Sequence, residues 1–281
     1  RRIILDQHPD GSSTRWNYDA KTGKSSGMEI HTADGKTQWI NDKNQVVRTK
    51  NVQGVEANYG YDGSTGKLNY YKEQGHEWKL VGANQWCRNG DLKSLWNGLM
   101  DVTPTGEFCV SASDTNTTIV YALDATRKVV TQLPTEPPTF TECHFGQNGK
   151  LIRTVDFRGT QKEYGRDAQG KLNKVSEQSD SSIKPIVWTS SDGQHWTSED
   201  GKQKMVGTIT ITDDGTATVF DASSGRTDIQ RLGQSVIIIS PEDIDLKASA
   251  IKSAIRPTPT TVPMVSLTGN SWIDGVLDTV I

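Results

Sequence analysis

Residues 46–62, VVRTKNVQGVEANYGYD, and residues 151–167, LIRTVDFRGTQKEYGRD, decide the fold, because the second stretch repeats the first. In this register Arg48 and Thr49 meet Arg153 and Thr154, and Gly54 meets Gly159. Tyr59-Gly60 then meets Tyr164-Gly165, and Asp62 meets Asp167. One residue is lost in the following turn, after which Gly66-Lys67-Leu68-Asn69 meets Gly170-Lys171-Leu172-Asn173 and Glu73-Gln74 meets Glu177-Gln178. Further on, Gly106 aligns with Gly215 and Val110–Leu123 with Val219–Leu232, with Trp86 and Trp96 set against Trp188 and Trp196 between them. Matches in one unbroken order predict two copies of one unit, over residues 46–123 and 151–232. A partial third copy leads the chain: Gly11-x6-Tyr18-Asp19-x3-Gly23-Lys24 has the spacing of Gly54-x6-Tyr61-Asp62-x3-Gly66-Lys67.

The repeated motif has the chemistry of a hairpin. In Trp16-Asn17-Tyr18 and Tyr59-Gly60-Tyr61 the aromatics are two residues apart and share one face of a strand. Aspartate opens the turn, because its carboxylate accepts hydrogen bonds from backbone N–H groups just ahead of it. Glycine supplies the left-handed position, and Leu68 or Leu172 starts the return strand. Asp-Gly pairs at residues 10, 34, 62, 192, 200 and 214 punctuate the chain at intervals suited to short strands. Gln203–Thr212 and Thr216–Phe220 show the alternation plainly. The expected fold class is all-β: consecutive antiparallel hairpins forming an elongated, twisted or solenoid-like sheet from a duplicated unit, with one short helix near the C-terminus. The expected divisions are a partial leading repeat (1–45), unit 1 (46–130), a Pro-rich connection (131–150), unit 2 (151–239), a helix (240–256), and a linker with an apolar tail (257–281). Ser240 as N-cap, Pro241 at the first helical position and Ile244, Ala248, Ile251 and Ile255 on one face predict the helix.

The phased motifs Asn17-Tyr18-Asp19-x3-Gly23, Gly60-Tyr61-Asp62-x3-Gly66-Lys67-Leu68 and Gly165-Arg166-Asp167-x2-Gly170-Lys171-Leu172 resemble the YD-repeat, or RHS-repeat, family of large bacterial surface and secreted proteins. The resemblance covers residues 5–232, and Arg166 departs from the pattern by replacing the tyrosine. It implies a surface or secreted location and, as a lower option, the casing of a polymorphic toxin.

Composition narrows the chemistry. The hydrophobic fraction is 33% with 26 glycines, which suits a thin sheet better than a thick core. A formal charge of −3 speaks against a nucleic-acid partner, and no apolar run approaches a membrane span. Arg1-Arg2-Ile3-Ile4-Leu5 reads as a strand entered partway, so the chain is expected to be a fragment or a processed product. Cys87, Cys109 and Cys143 have no zinc spacing; one disulfide with one thiol, or three buried thiols, are the two readings. The five histidines are scattered one per unit, and no nucleophile elbow, phosphate loop or dinucleotide fingerprint occurs. Almost every aspartate is explained by a turn, so no metal, cofactor or catalytic residue is expected and the chain is read as a non-enzyme.

Two features carry the functional expectation. The first is the aromatics in phase with the sheet. Trp16, Trp39, Trp78, Trp96 and Trp196 could form a sugar-stacking face for a polysaccharide, or supply the packing of a sheet poor in Leu and Phe. The second is the apolar tail Val262–Ile281, with Met264, Val265, Leu267, Trp272, Ile273, Val276 and Leu277 as assembly residues. It either covers a sheet edge of its own chain or adds to a neighbouring copy to build a homo-oligomer or filament. The expected function is an extracellular structural or adhesive β-repeat protein, with a carbohydrate-binding cell-envelope module as the alternative.

Overall fold

The computed structural model describes residues 4–112, 115–179, 184–234 and 237–239. The described chain divides into two compact units between Arg127 and Lys128. The expected helix over 240–256 and the tail over 257–281 lie outside the described residues.

In the first unit the strands are Leu5–Gln7 (β1), Ser13–Tyr18 (β2), Ser25–His31 (β3), Thr37–Asn41 (β4), Val46–Lys50 (β5) and Glu56–Tyr61 (β6). They continue as Leu68–Glu73 (β7), His76–Gly82 (β8), Gln85–Arg88 (β9), Asp91–Val102 (β10), Phe108–Ala112 (β11) and Thr117–Tyr121 (β12). Each strand pairs antiparallel with the next. Arg127–Leu133 (β13) begins at the boundary. Thr139–Phe145 (β14), Leu151–Val155 (β15), Gln161–Arg166 (β16), Leu172–Gln178 (β17) and Ile186–Thr189 (β18) follow in the second unit. His195–Ser198 (β19), Lys204–Ile211 (β20), Ala217–Asp221 (β21), Arg226–Gln230 (β22) and Ile237–Ile239 (β23) complete it. From β14 onward each again pairs antiparallel with its successor. Consecutive antiparallel hairpins are therefore the architecture, as the turn spacing predicted. The Pro-rich connection is not strand-free: β13 and β14 run into it, and Pro134, Pro137 and Pro138 sit in the turn between them.

The duplication is carried strand for strand, with β5–β12 answered by β15–β22. Tyr59 Oη and Thr49 Oγ1 share a hydrogen bond of 3.0 Å, and Tyr164 and Thr154 share one of 2.9 Å at the same places. At the hairpin motif the ladder bulges between Asn17 and Tyr18, between Gly60 and Tyr61, and between Gly165 and Arg166, so all three copies bend at one position. Asp62 Oδ1 accepts from the Ser64 and Thr65 backbone N–H groups at 3.1 and 2.7 Å, and Asp19 holds Lys21 and Thr22 in the same way. The lost residue shows here: Gly66 N–H bonds the Asp62 carbonyl four residues back, whereas Gly170 reaches Asp167 three residues back. At Asp62-Gly63 it is Gly66, with φ +70°, that takes the left-handed turn position.

The tryptophan correspondence read from the sequence is corrected by the strand register. Trp78 lies opposite Tyr71 and Trp188 opposite Val175, so these two are equivalent. Trp86 then answers Trp196, and Trp96 answers Met205. The chain between β17 and β18 is longer than the turn between β7 and β8, which displaced the spacing on which the earlier match relied.

Within each unit the sheet curls until distant hairpins meet. In the first, Gln38 Nε2 donates to the Thr105 carbonyl, and Val52 N–H to the Leu123 carbonyl at 3.0 Å. In the second, Lys162 Nζ donates to Gln230 Oε1. The curl encloses one core per unit. The first is built on Tyr59, Tyr71, Trp78, Trp86, Trp96 and Phe108, and the second on Phe145, Leu151, Tyr164, Leu172 and Trp196. Large aromatics fill what a chain with few leucines cannot. Gly98 and Gly207 hold equivalent places where neighbouring backbones approach closely. A Cβ at either would overlap the carbonyl of the adjacent strand, Ser111 or Phe220.

Candidate functional site

In the first unit, alternation along two adjacent strands points unlike residues inward. From β6 come Ala57 and Tyr59, and from β7 come Tyr71 and Glu73, all buried. Glu73 is two residues from Tyr71 and so shares its apolar face, where a carboxylate is out of place. A charged residue in phase with the buried alternation was the signal in the sequence that could have found this site, and the sequence reading passed over it.

Around Glu73 the packing is aromatic. Tyr71 stacks on Phe108 with ring centroids 4.3 Å apart and 14° between planes, and Tyr59 lies 5.7 Å from Tyr71. Tyr71 donates its hydroxyl hydrogen to Glu73 Oε2. Burial pushes the Glu73 carboxyl up to about 7, and the Tyr71 bond only partly opposes this. Burial likewise raises the phenols of Tyr59, Tyr71 and Tyr121, with the Glu73 charge adding to the effect in all three. The nearby Arg127 guanidinium opposes the rise at Tyr121. A cavity of about 30 Å³ lies among Thr49, Ala57, Tyr59, Glu73, Phe108 and Tyr121. That is room for a water molecule or two and too little for an organic ligand. The arrangement can hold or release one proton and admit one small species.

The second copy resolves the same place differently. By register, Ala57 is answered by Lys162, Glu73 by Glu177 and Tyr121 by Gln230. There the Lys162 ammonium lies 3.0 Å from Glu177 Oε2.

The residues singled out from the sequence do not form one exposed aromatic face. Trp78, Trp96 and Trp196 are each 1% exposed and belong to the cores. Trp16 and Trp39 are half-buried and project to opposite faces. Trp16 is in register with Met28 and Ile40 on the core side, and Trp39 with Glu29 and Arg48 on the other. The Arg48 guanidinium carbon lies 4.4 Å from the centre of the Trp39 ring, covering the surface on which a sugar would stack. The burial is physical necessity: a thin sheet encloses its largest apolar side chains first. The assembly residues Met264, Val265, Leu267, Trp272, Ile273, Val276 and Leu277 lie outside the described residues. Cys87 and Cys143 are buried and Cys109 is half-buried. Among the described residues no group of three or more His, Cys, Asp or Glu is placed to hold a metal ion, and no helix is long and apolar enough to cross a membrane.

No family model and no curated protein matches the chain. Among solved structures it is similar to a chain in the crystal structure of TcdB2-TccC3-TEV. The identity is 12%, the TM-score 0.18, and the match covers 81% of this chain and 14% of that one. A chain in the Photorhabdus luminescens Tc holotoxin pore carrying a TccC3 mutation is similar at 13% identity and a TM-score of 0.19, with 87% and 16% covered. The chain thus spans about a sixth or less of these structures' length. Likeness at these TM-scores carries no argument about function, and the YD-repeat resemblance rests on the motifs in the sequence.

Proposed function

We propose that the chain is a structural β-repeat scaffold of an extracellular or cell-surface protein. The observation that carries this reading is which features the two copies share. Both keep the aspartate turns, the hairpin bulge, the buried Thr–Tyr bond and the close-approach glycine. All of these fix backbone path and strand register. The polar groups at one shared position differ instead: buried Glu73 beside Ala57 in one copy, exposed Glu177 beside Lys162 in the other. Duplication that retains geometry and lets the chemistry drift is what a load-carrying or spacing role requires.

On this reading the apolar segment 262–281 makes the contact between copies. Light scattering on the full chain and on a form ending at residue 256 tests it. Concentration-dependent association of the full chain alone is expected; two monomers of matching stability would sink the assembly role. Carbohydrate binding is the alternative, and co-sedimentation with insoluble polysaccharides separates the two. Retention on cellulose or chitin that is lost in Trp39→Ala would favour a binding module over a scaffold.

A further inference from the structure

The second copy has a lysine at the strand position where the first copy has an alanine beside a cavity. Lys162 Nζ approaches Glu177 Oε2 and donates to Gln230 Oε1. In the first copy the glutamate is kept as Glu73, but Ala57 stands at the lysine position and ends at its β-carbon. The cavity of about 30 Å³ is lined by both of these residues together with Thr49, Tyr59 and Tyr121. Its size admits one or two waters, or one unhydrated ion of similar dimensions. Its oxygens are a buried carboxylate and hydroxyl groups. The Thr49 and Tyr59 hydroxyls share one hydrogen between them, which leaves lone pairs on both oxygens. A carboxylate buried to 4% exposure whose described bond is one tyrosine hydroxyl lacks the opposite charge that buried ions ordinarily find.

We infer that this cavity binds one small monovalent cation, of ammonium or potassium size, held by Glu73 beside the strand position that Lys162 occupies in the second copy.

Charged and titratable groups around it are Tyr59 from β6, Tyr71 from β7, His76 opposite Glu73 on β8, Tyr121 from β12, and Arg127 near Tyr121. The Arg127 guanidinium acts on the Tyr121 phenol and is not among the groups that act on the Glu73 carboxyl, and His76 Nδ1 lies 3.0 Å from Arg88 Nη2. The carboxylate of Glu73 therefore remains the negative group that the cation would meet.

Thermal unfolding of the full chain at pH 8, at one ionic strength, tests the site with potassium, ammonium and tetramethylammonium chlorides, the last too large to enter. Potassium and ammonium are expected to raise the midpoint of the first unit by about 3 °C over tetramethylammonium. The difference should vanish in Glu73→Gln. Equal midpoints in all three salts would leave the cavity to water and overturn the inference. So would a difference that persists in Glu73→Gln, because the cation would then bind elsewhere. Crystals soaked in rubidium give a measurement that needs no variant. An anomalous peak beside Glu73 is expected, and an empty difference map there at saturating rubidium overturns the assignment. The scaffold reading neither requires this site nor falls with it.

Discussion

Two glutamates occupy one structural position, and the copies around them have parted company. Glu177 is half-exposed and paired with Lys162, while Glu73 is enclosed with three tyrosines and a phenylalanine. Position in the sheet is inherited from the duplication; burial is set by neighbours from other strands. A repeat unit can therefore keep its backbone while one glutamate passes from an exposed ion pair to an aromatic enclosure.

The comparison breaks most readily at the tryptophans. Trp86→Ala and Trp196→Ala remove equivalent buried side chains and are each expected to destabilise their own unit by about 3–5 kcal/mol, read from denaturant unfolding. Loss confined to the mutated unit supports two separate cores; simultaneous loss of both would merge them. Next comes Glu73→Gln. The folded-state carboxyl titrates at about 7 against 4.5 for the unfolded chain, so folding favours the protonated form. Stability from this group is fully present below pH 4.5 and is lost as pH rises through 7. The variant should gain about 3 kcal/mol at pH 8.5 and nothing at pH 4, measured in tetramethylammonium salts so that no small cation contributes. A pH-independent gain would contradict the burial of the charge. Smaller, and equal in the two copies, are the effects of Tyr59→Phe and Tyr164→Phe, each removing a buried hydroxyl bond worth about 1 kcal/mol. Unequal losses would show that the copies differ here too. Smallest is Lys162→Ala. It breaks a partly exposed pair, and a loss of about 0.5 kcal/mol that shrinks in concentrated salt is expected from unfolding curves at two ionic strengths.

The fold was legible where backbone geometry dictates residue type. Turn aspartates, left-handed glycines and the period-two aromatics gave the hairpins, the copies and the register of β5–β7 against β15–β17. Legibility failed where partners come from far along the chain. Trp78 and Trp188 are equivalent through strand pairing, across a stretch whose length differs between copies, so spacing alone matched Trp188 with the wrong residue. The cavity beside Glu73 needs Ala57, Glu73 and Tyr121 from three strands, and no local pattern announces that β12 folds over β6. Nor did alternation reveal that Trp39 faces away from the other tryptophans, because a strand's two faces look alike until one is known to be enclosed.

The enclosure of the indoles has a spectroscopic consequence. Trp78, Trp96 and Trp196 have ring N–H groups buried without a hydrogen-bond partner, so their emission should lie at the blue end of the tryptophan range. Among the described residues Trp16, Trp39, Trp78, Trp86 and Trp96 belong to the first unit, and Trp188 and Trp196 to the second. The fluorescence of the described residues is thus weighted toward the first unit. Replacing Trp188, Trp196 and Trp272 by phenylalanine would leave only the five tryptophans of the first unit and turn the chain into a single-unit reporter with no label attached.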